Sequence, residues 1–236
     1  MEDKKKRRYD TVIFDLDGTL LDTLGDLTDS TNTVLEQYGM PGHTQEQIRS
    51  FVGNGIRRLL ECAVPRGTSS EQFDLVYRSF RAYYDIHCMD RTKPYPGILS
   101  LLGTLREEGY RIAIVSNKAD FAVKKLNQIY FSDLIPVAVG EREQIRRKPA
   151  PDSVFWAMKE LWKLSEDAVL SCEDKARTVY IGDSEVDIQT AQNAGLDCIA
   201  VSWGFRTRED LIRHGALESR IAANTEELKN LLEERE

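Results

Sequence analysis

Short apolar runs alternate along this chain with longer stretches in which apolar positions recur every three to four residues. The runs at residues 11–15, 112–115, 136–139, 178–181 and 198–201 predict strands. Apart from Pro136 they are rich in β-branched or small apolar residues, as strands covered on both faces should be. Helical periodicity marks residues 98–107, 121–129, 153–161, 186–194 and 226–232, and Gly195 follows the fourth of these where a helix end favours glycine. This alternation predicts βαβ units and an α/β fold built on a parallel sheet.

One interval breaks the pattern. Between residues 22 and 93 only helical stretches occur, punctuated at Gly39-Met40-Pro41-Gly42, Gly53-Asn54-Gly55 and Pro65-Arg66-Gly67. Tyr95-Pro96-Gly97 marks the return to the alternating pattern. The expected organisation is a flexible basic tail over residues 1–9, an α/β core from residues 10–20 and 94–236, and a helical insert over residues 21–93. No repeat or low-complexity segment interrupts it.

Composition narrows the class. The chain has 236 residues, 41% hydrophobic and 30% charged, which excludes disorder, collagen-like repeats and a coiled coil as whole-chain readings. Its 32 basic and 39 acidic residues give a net charge of −7, so the broad basic footprint of a nucleic-acid binder is absent. An anionic substrate must therefore be held by a few local cations or a metal. The one basic block, residues 4–8, reads as a solvated tail. No apolar stretch approaches the ~20 residues of a membrane span, and residues 12–14 are too short for a signal-peptide core. Cys62, Cys88, Cys172 and Cys198 form no C-x-x-C pair and read as free thiols of a cytoplasmic protein. His43, His87 and His214 are too scattered to suggest zinc.

The first strand ends in Asp15-Leu16-Asp17-Gly18-Thr19. Residues two apart on a strand share a face, so Asp15 and Asp17 can converge, suiting a hard cation or a nucleophile paired with an acid. Asp-Gly is equally a common turn pair. Ser116-Asn117 follows the second strand, where a hydroxyl and backbone N–H groups suit phosphate, although Ser116 alone also reads as a helix cap. Lys148 stands in Lys148-Pro149-Ala150-Pro151, a restricted segment, and beside Arg146 and Arg147 it also reads as solvated. Asp183 leaves the fourth strand and Asp187 lies one helical turn on, which suits a metal site or an ordinary helix start. Each signal is weak alone. Together they place polar groups at the carboxyl ends of several strands of an open α/β sheet, where ligands bind.

In this order and spacing, Asp15-Leu16-Asp17-Gly18-Thr19, Ser116, Lys148 and Gly182-Asp183-Ser184-x-x-Asp187 resemble the four motifs of the haloacid dehalogenase superfamily, over nearly the whole chain from Tyr9 onward. The helical insert resembles that superfamily's α-helical cap, on a Rossmann-like core. Thr19-Leu20-Leu21-Asp22-Thr23, Tyr38-Gly39-Met40-Pro41, Val52-Gly53-Asn54-Gly55 and Val201-Ser202-Trp203-Gly204 are similar to its phosphoglycolate phosphatase branch.

The resemblance implies that Asp15 attacks phosphorus to form an aspartyl-phosphate, and that Asp17 protonates the leaving oxygen and then activates water. It implies that Ser116, the Asn117 backbone and Lys148 hold the phosphoryl group. Mg²⁺ is then expected on Asp15, the Asp17 backbone carbonyl and Asp183, supported by Asp187. The cap is expected to close over the site. From the residues themselves, the glycine-flanked segment Gly53-Asn54-Gly55 with Arg57, or equally Arg58, is expected to read the substrate; the other reading is that the glycines only separate two cap helices.

Asp17 speaks against dehalogenation, and the absence of lysine between Lys6 and Lys93 against phosphonatase chemistry, whose cap supplies one. The expected activity is hydrolysis of a small phosphorylated metabolite, phosphoglycolate foremost, by a monomer or homodimer without nucleic-acid or membrane partners. Pyrophosphate, nucleotides and sugar phosphates are alternative substrates. A catalytically inactive binding protein of the same fold and a phospho-accepting receiver module are the readings from other classes.

Overall fold

The computed structural model describes residues 7–233. The chain runs β1 (Thr11–Phe14), β2 (Leu21–Asp22), α1 (Leu24–Gln37), α2 (Gln45–Phe51), α3 (Gly55–Ala63), α4 (Ser70–His87) and β3 (Lys93–Pro94). It continues α5 (Ile98–Glu107), β4 (Arg111–Ala119), α6 (Asp120–Tyr130), β5 (Val137–Glu141), α7 (Asp152–Trp162), α8 (Cys172–Ala176) and β6 (Thr178–Gly182). The last elements are α9 (Glu185–Ala194), β7 (Asp197–Val201), α10 (Arg208–Arg213), β8 (Ile221–Ala222) and α11 (Thr225–Glu233). Two compact units result: Leu21–Pro94 forms one, and the chain up to Leu20 joins the chain from Tyr95 onward in the other.

The larger unit is built on a six-stranded sheet in the order β5-β4-β1-β6-β7-β8, parallel at every pairing. Val12, Ile13 and Phe14 of β1 are wholly buried, as an apolar strand with helices over both faces must be. β1 pairs with β4 through Thr11↔Arg111 and with β6 through Thr11↔Thr178. The winding therefore turns from one side of β1 to the other, and the carboxyl ends of β4, β1 and β6 form the crevice where such sheets bind ligands. Val154, Ala157 and Met158 of α7 pack on Ala113, Val115, Val137 and Val139, while α9 covers β6 and β7.

Three features differ from the sequence expectation. β4 does not stop at residue 115 but continues to Ala119, with a register shift against β5 between Val115 and Ala119. Ser116, Asn117 and Lys118 are buried there, so their polarity marks a polar interior rather than a strand leaving for solvent. The basic tail does not reach residue 9: Tyr9 is fully buried and donates to Asp197 Oδ2 at 2.6 Å, beside Arg8 at 2.7 Å. Residues 1–6 of that tail lie outside the described residues. β8 and the short helices α8 and α10 were not anticipated, being too short to leave a period in the sequence.

The smaller unit is helical. α1 packs on α4, and α2 on both α1 and α3. Asp26 fixes the return of the chain, its carboxylate accepting from Arg91 N, Thr92 N and Thr92 Oγ1. Thr44 and Gln47 form a reciprocal cap on α2, and the Ser69 side chain caps α4. All four cysteines are unpaired. No helix among the described residues is long and apolar enough to cross a membrane.

Candidate active site

β1 delivers two carboxylates to the crevice. The Asp15 N–H still joins the sheet, donating to Ile181 O at 2.8 Å, and its side chain is 11% exposed. Gly18 then turns the chain at φ +87°, a conformation that strains residues with a Cβ, and a Cβ there would collide with the Asp183 carboxylate. Thr19 and Phe205 hold that carboxylate from either side, Thr19 Oγ1 donating to Oδ1 at 2.9 Å and Phe205 N to Oδ2 at 2.7 Å. Trp203 Nε1 donates to Thr19 O at 3.0 Å, tying the segment after β7 to the turn after β1.

Lys148, 3% exposed, sits among three oxygens: Asp187 Oδ1 at 2.7 Å, Asp15 Oδ1 at 2.9 Å and Tyr180 Oη at 3.0 Å. Its ammonium carries three donors, so the surroundings suit its full capacity. Burial alone would lower its pKa, but Asp15 and Asp187 reverse this and hold it well above the ordinary lysine value. Asp187 is fixed in turn: its Oδ2 accepts from Ser184 Oγ at 2.6 Å and Ser184 N at 3.1 Å, closing the capping box of α9. The Lys148–Pro149 peptide is cis.

Asp15, Asp183 and Asp187 place carboxylate oxygens within 4.8 Å of one another, all buried. Burial, with Asp187 and Asp17 adding to it and Lys148 opposing, raises Asp15 to about 7. Burial raises Asp183 well above the carboxylate range, helped by Asp187 and Asp15. The Asp17 carboxylate lies outside this group, paired with Lys118 Nζ at 2.8 Å, and the ligand expected of Asp17 is its backbone carbonyl.

Fully ionised, the four carboxylates would exceed the two ammonium groups of Lys118 and Lys148 by two negative charges, which is why burial holds the Asp15 and Asp183 pKa values up when no cation is present. Asp15 Oδ1 is also shut from solvent without a well-aligned hydrogen bond. A divalent hard cation fits both observations.

β4 supplies the remaining groups. Ser116 Oγ accepts from Lys118 N at 3.2 Å and lies 3.5 Å from Asp17 Oδ2. Asn117 uses its side chain to donate to Lys148 O at 3.1 Å, binding the two segments together. Asp15, Asp17, Ser116, Asn117, Lys148, Asp183 and Asp187 thus gather at one crevice of the larger unit. Lys118, Thr19 and Tyr180 join them and were not anticipated: Lys118 reads as a surface lysine, and Tyr180 as core.

Gly53, Asn54 and Arg57 belong to the helical unit. Gly53 and Gly55 take φ +125° and +78° around Asn54, the residue before α3. Arg57 lies over the Phe73 and Tyr77 rings at 5.0 and 5.5 Å and faces Glu61 and Asp74 at 3.8 and 3.7 Å. These contacts lie within its own unit, and the side chain remains half exposed.

The family described as haloacid dehalogenase-like hydrolase matches residues 12–201 of this chain. A phosphoglycolate phosphatase of Rhodobacter capsulatus is 34% identical over 210 residues, 87% of this chain and 90% of that protein. An N-acetylmuramic acid 6-phosphate phosphatase of Pseudomonas aeruginosa is 29% identical over 211 residues, 89% of each. The crystal structure of a Lactobacillus delbrueckii subsp. bulgaricus protein superimposes with a TM-score of 0.84 at 36% identity, covering 95% of this chain and 98% of that one.

Proposed function

The chain belongs to the haloacid dehalogenase-like hydrolases, as an enzyme of their phosphatase type, and from that premise we propose that it hydrolyses a small phosphomonoester through an aspartyl-phosphate on Asp15. The observation that carries this reading is the Asp15 carboxylate at the sheet crevice, 2.9 Å from buried Lys148 and grouped with Asp183 and Asp187.

In the first half-reaction an Asp15 oxygen bonds to phosphorus as the ester P–O bond breaks, and Asp17 gives its proton to the leaving alcohol oxygen. In the second, Asp17 takes a proton from water as that water bonds to phosphorus, and the Asp15–phosphorus bond breaks to release phosphate. Ser116 Oγ and the Asn117 N–H bind the phosphoryl oxygens, while Lys148, its donors engaged by Asp187, Asp15 and Tyr180, orients Asp15 and lends its positive charge to the phosphoryl group. Mg²⁺ would be held by Asp15, the Asp17 carbonyl and Asp183, with Asp187 close by, and when bound it supplies charge neutralisation for the phosphoryl group.

Phosphoglycolate is the proposed substrate, supported by the name of the Rhodobacter relative and by the branch motifs in the sequence. The Pseudomonas relative favours a second reading, a sugar 6-phosphate. A panel of metabolite phosphates, with kcat/KM measured for each, tests both. Phosphoglycolate should give the highest value; a clear preference for a sugar 6-phosphate would replace it with the second reading.

A further inference from the structure

Lys118 carries chemistry that the four motifs leave unassigned. Its side chain is 4% exposed and its Nζ lies 2.8 Å from Asp17 Oδ1, while the Ser116 hydroxyl lies 3.5 Å from Oδ2. A lysine is rarely buried without a compensating partner, and Asp17 is such a partner. The pairing follows from the sheet: beyond the register that sets Phe14 opposite Ile114, Lys118 stands four residues further along β4 and Asp17 three residues past the end of β1.

Gly18 follows Asp17 at positive φ, in the turn that takes the chain out of the sheet. The two buried lysines thus divide the two carboxylates of the first motif, Lys148 serving Asp15 and Lys118 serving Asp17.

Resting on the reading of Asp17 as the proton donor, we propose that Lys118 is a positioning residue that fixes the Asp17 carboxyl group for transfer of its proton to the leaving oxygen. A displacement of about 1 Å at such a group can cost on the order of 100-fold in rate. In the first half-reaction the loss must fall on substrates whose leaving group needs a proton and spare those whose leaving group departs as a stable anion, whereas the second half-reaction, common to both, slows alike.

The test compares phenyl phosphate, a poor leaving group, with dinitrophenyl phosphate, a good one, in Lys118→Met, Asp17→Asn and the double variant. In single turnover, Lys118→Met should slow phenol release from phenyl phosphate by about 100-fold and leave release of dinitrophenol from its phosphate ester little changed. In the Asp17→Asn background it should add no further loss, and Lys118→Arg should recover part of the activity, which guards against a variant that merely folds poorly. Equal losses in the release rate of both leaving groups, or a Lys118→Met effect that persists undiminished beside Asp17→Asn, would overturn the role of Lys118 alone. Asp17→Asn that loses nothing on phenyl phosphate would instead strike the proposed function of Asp17, and the Lys118 role with it.

Discussion

Lys148 Nζ lies closer to Asp187 Oδ1, at 2.7 Å, than to Asp15 Oδ1, at 2.9 Å. Asp187 is itself anchored by the Ser184 hydroxyl and N–H at the start of α9, so it acts as a fixed post that presents the ammonium to Asp15. The lysine reaches the site from the segment after β5, and the post from the helix after β6. Their contact joins the two sides of the crevice.

Removing that ammonium leaves buried carboxylates without their cation. Lys148→Met should destabilise the fold by about 3 kcal/mol in urea titration, the usual scale for breaking a buried pair, and abolish measurable turnover. Lys148→Arg should retain more stability than activity, because the planar guanidinium cannot reproduce a compact ammonium among three oxygens. Wild-type stability in Lys148→Met would contradict the pairing.

Asp15→Asn should keep the fold and lose about 10⁴-fold or more in turnover, since an amide does not attack phosphorus. Rapid quenching of the wild-type enzyme with labelled substrate should trap phosphate on Asp15. An active Asp15→Asn variant with no trapped label would mean direct attack by water.

Excess chelator should abolish activity and Mg²⁺ should restore it. Independently of turnover, Mg²⁺ at about 100 times its Kd should stabilise the protein by about 2.7 kcal/mol, read as a rise in Tm. Asp183→Asn should remove most of that rise. A Tm insensitive to Mg²⁺ in the wild type would exclude the carboxylate cluster as a cation site.

Glu185 and Arg206 make a two-pronged pair at 2.7 and 2.9 Å, with side chains 28% and 13% exposed. Burial would raise the Glu185 pKa, but the Arg206 hydrogen bonds and charge outweigh it and hold it below the ordinary glutamate value. A depressed carboxyl contributes its stability above the unfolded value and loses it as pH falls through the folded one. Glu185→Gln should therefore cost about 1–2 kcal/mol at pH 7, and the gap from wild type should close as pH falls through the acid range. A gap that stays constant down to the lowest pH at which the protein folds would refute the linkage.

The central strands were legible because each is a short apolar run buried on both faces, as at Val12, Ile13 and Phe14. The end of β4 was not, because a buried polar stretch and an exposed one look alike in one dimension. Asp15 and Asp183 could be placed from strand ends, and Asp187 from helical spacing. Lys118 could not: its partner Asp17 lies about a hundred residues earlier, and only the parallel register brings the two together. The spacing of Arg57 and Glu61 already offered a helical pair, and the two lie 3.8 Å apart.

The central place of β1 has a consequence for how the protein is made. Its first partner in the sheet begins at Arg111, a hundred residues later in the chain, and its second at Thr178. At ordinary rates of synthesis the ribosome needs roughly 5 to 20 s to cover the first interval, during which Val12, Ile13 and Phe14 have emerged ahead of either neighbouring strand. All four helices from Leu24 to His87 are complete before then and pack largely on one another. The helical unit can thus form on the nascent chain while the strand bearing Asp15 waits, an apolar segment for chaperones to shield, and catalytic competence arrives only after β6 and α9 have left the ribosome.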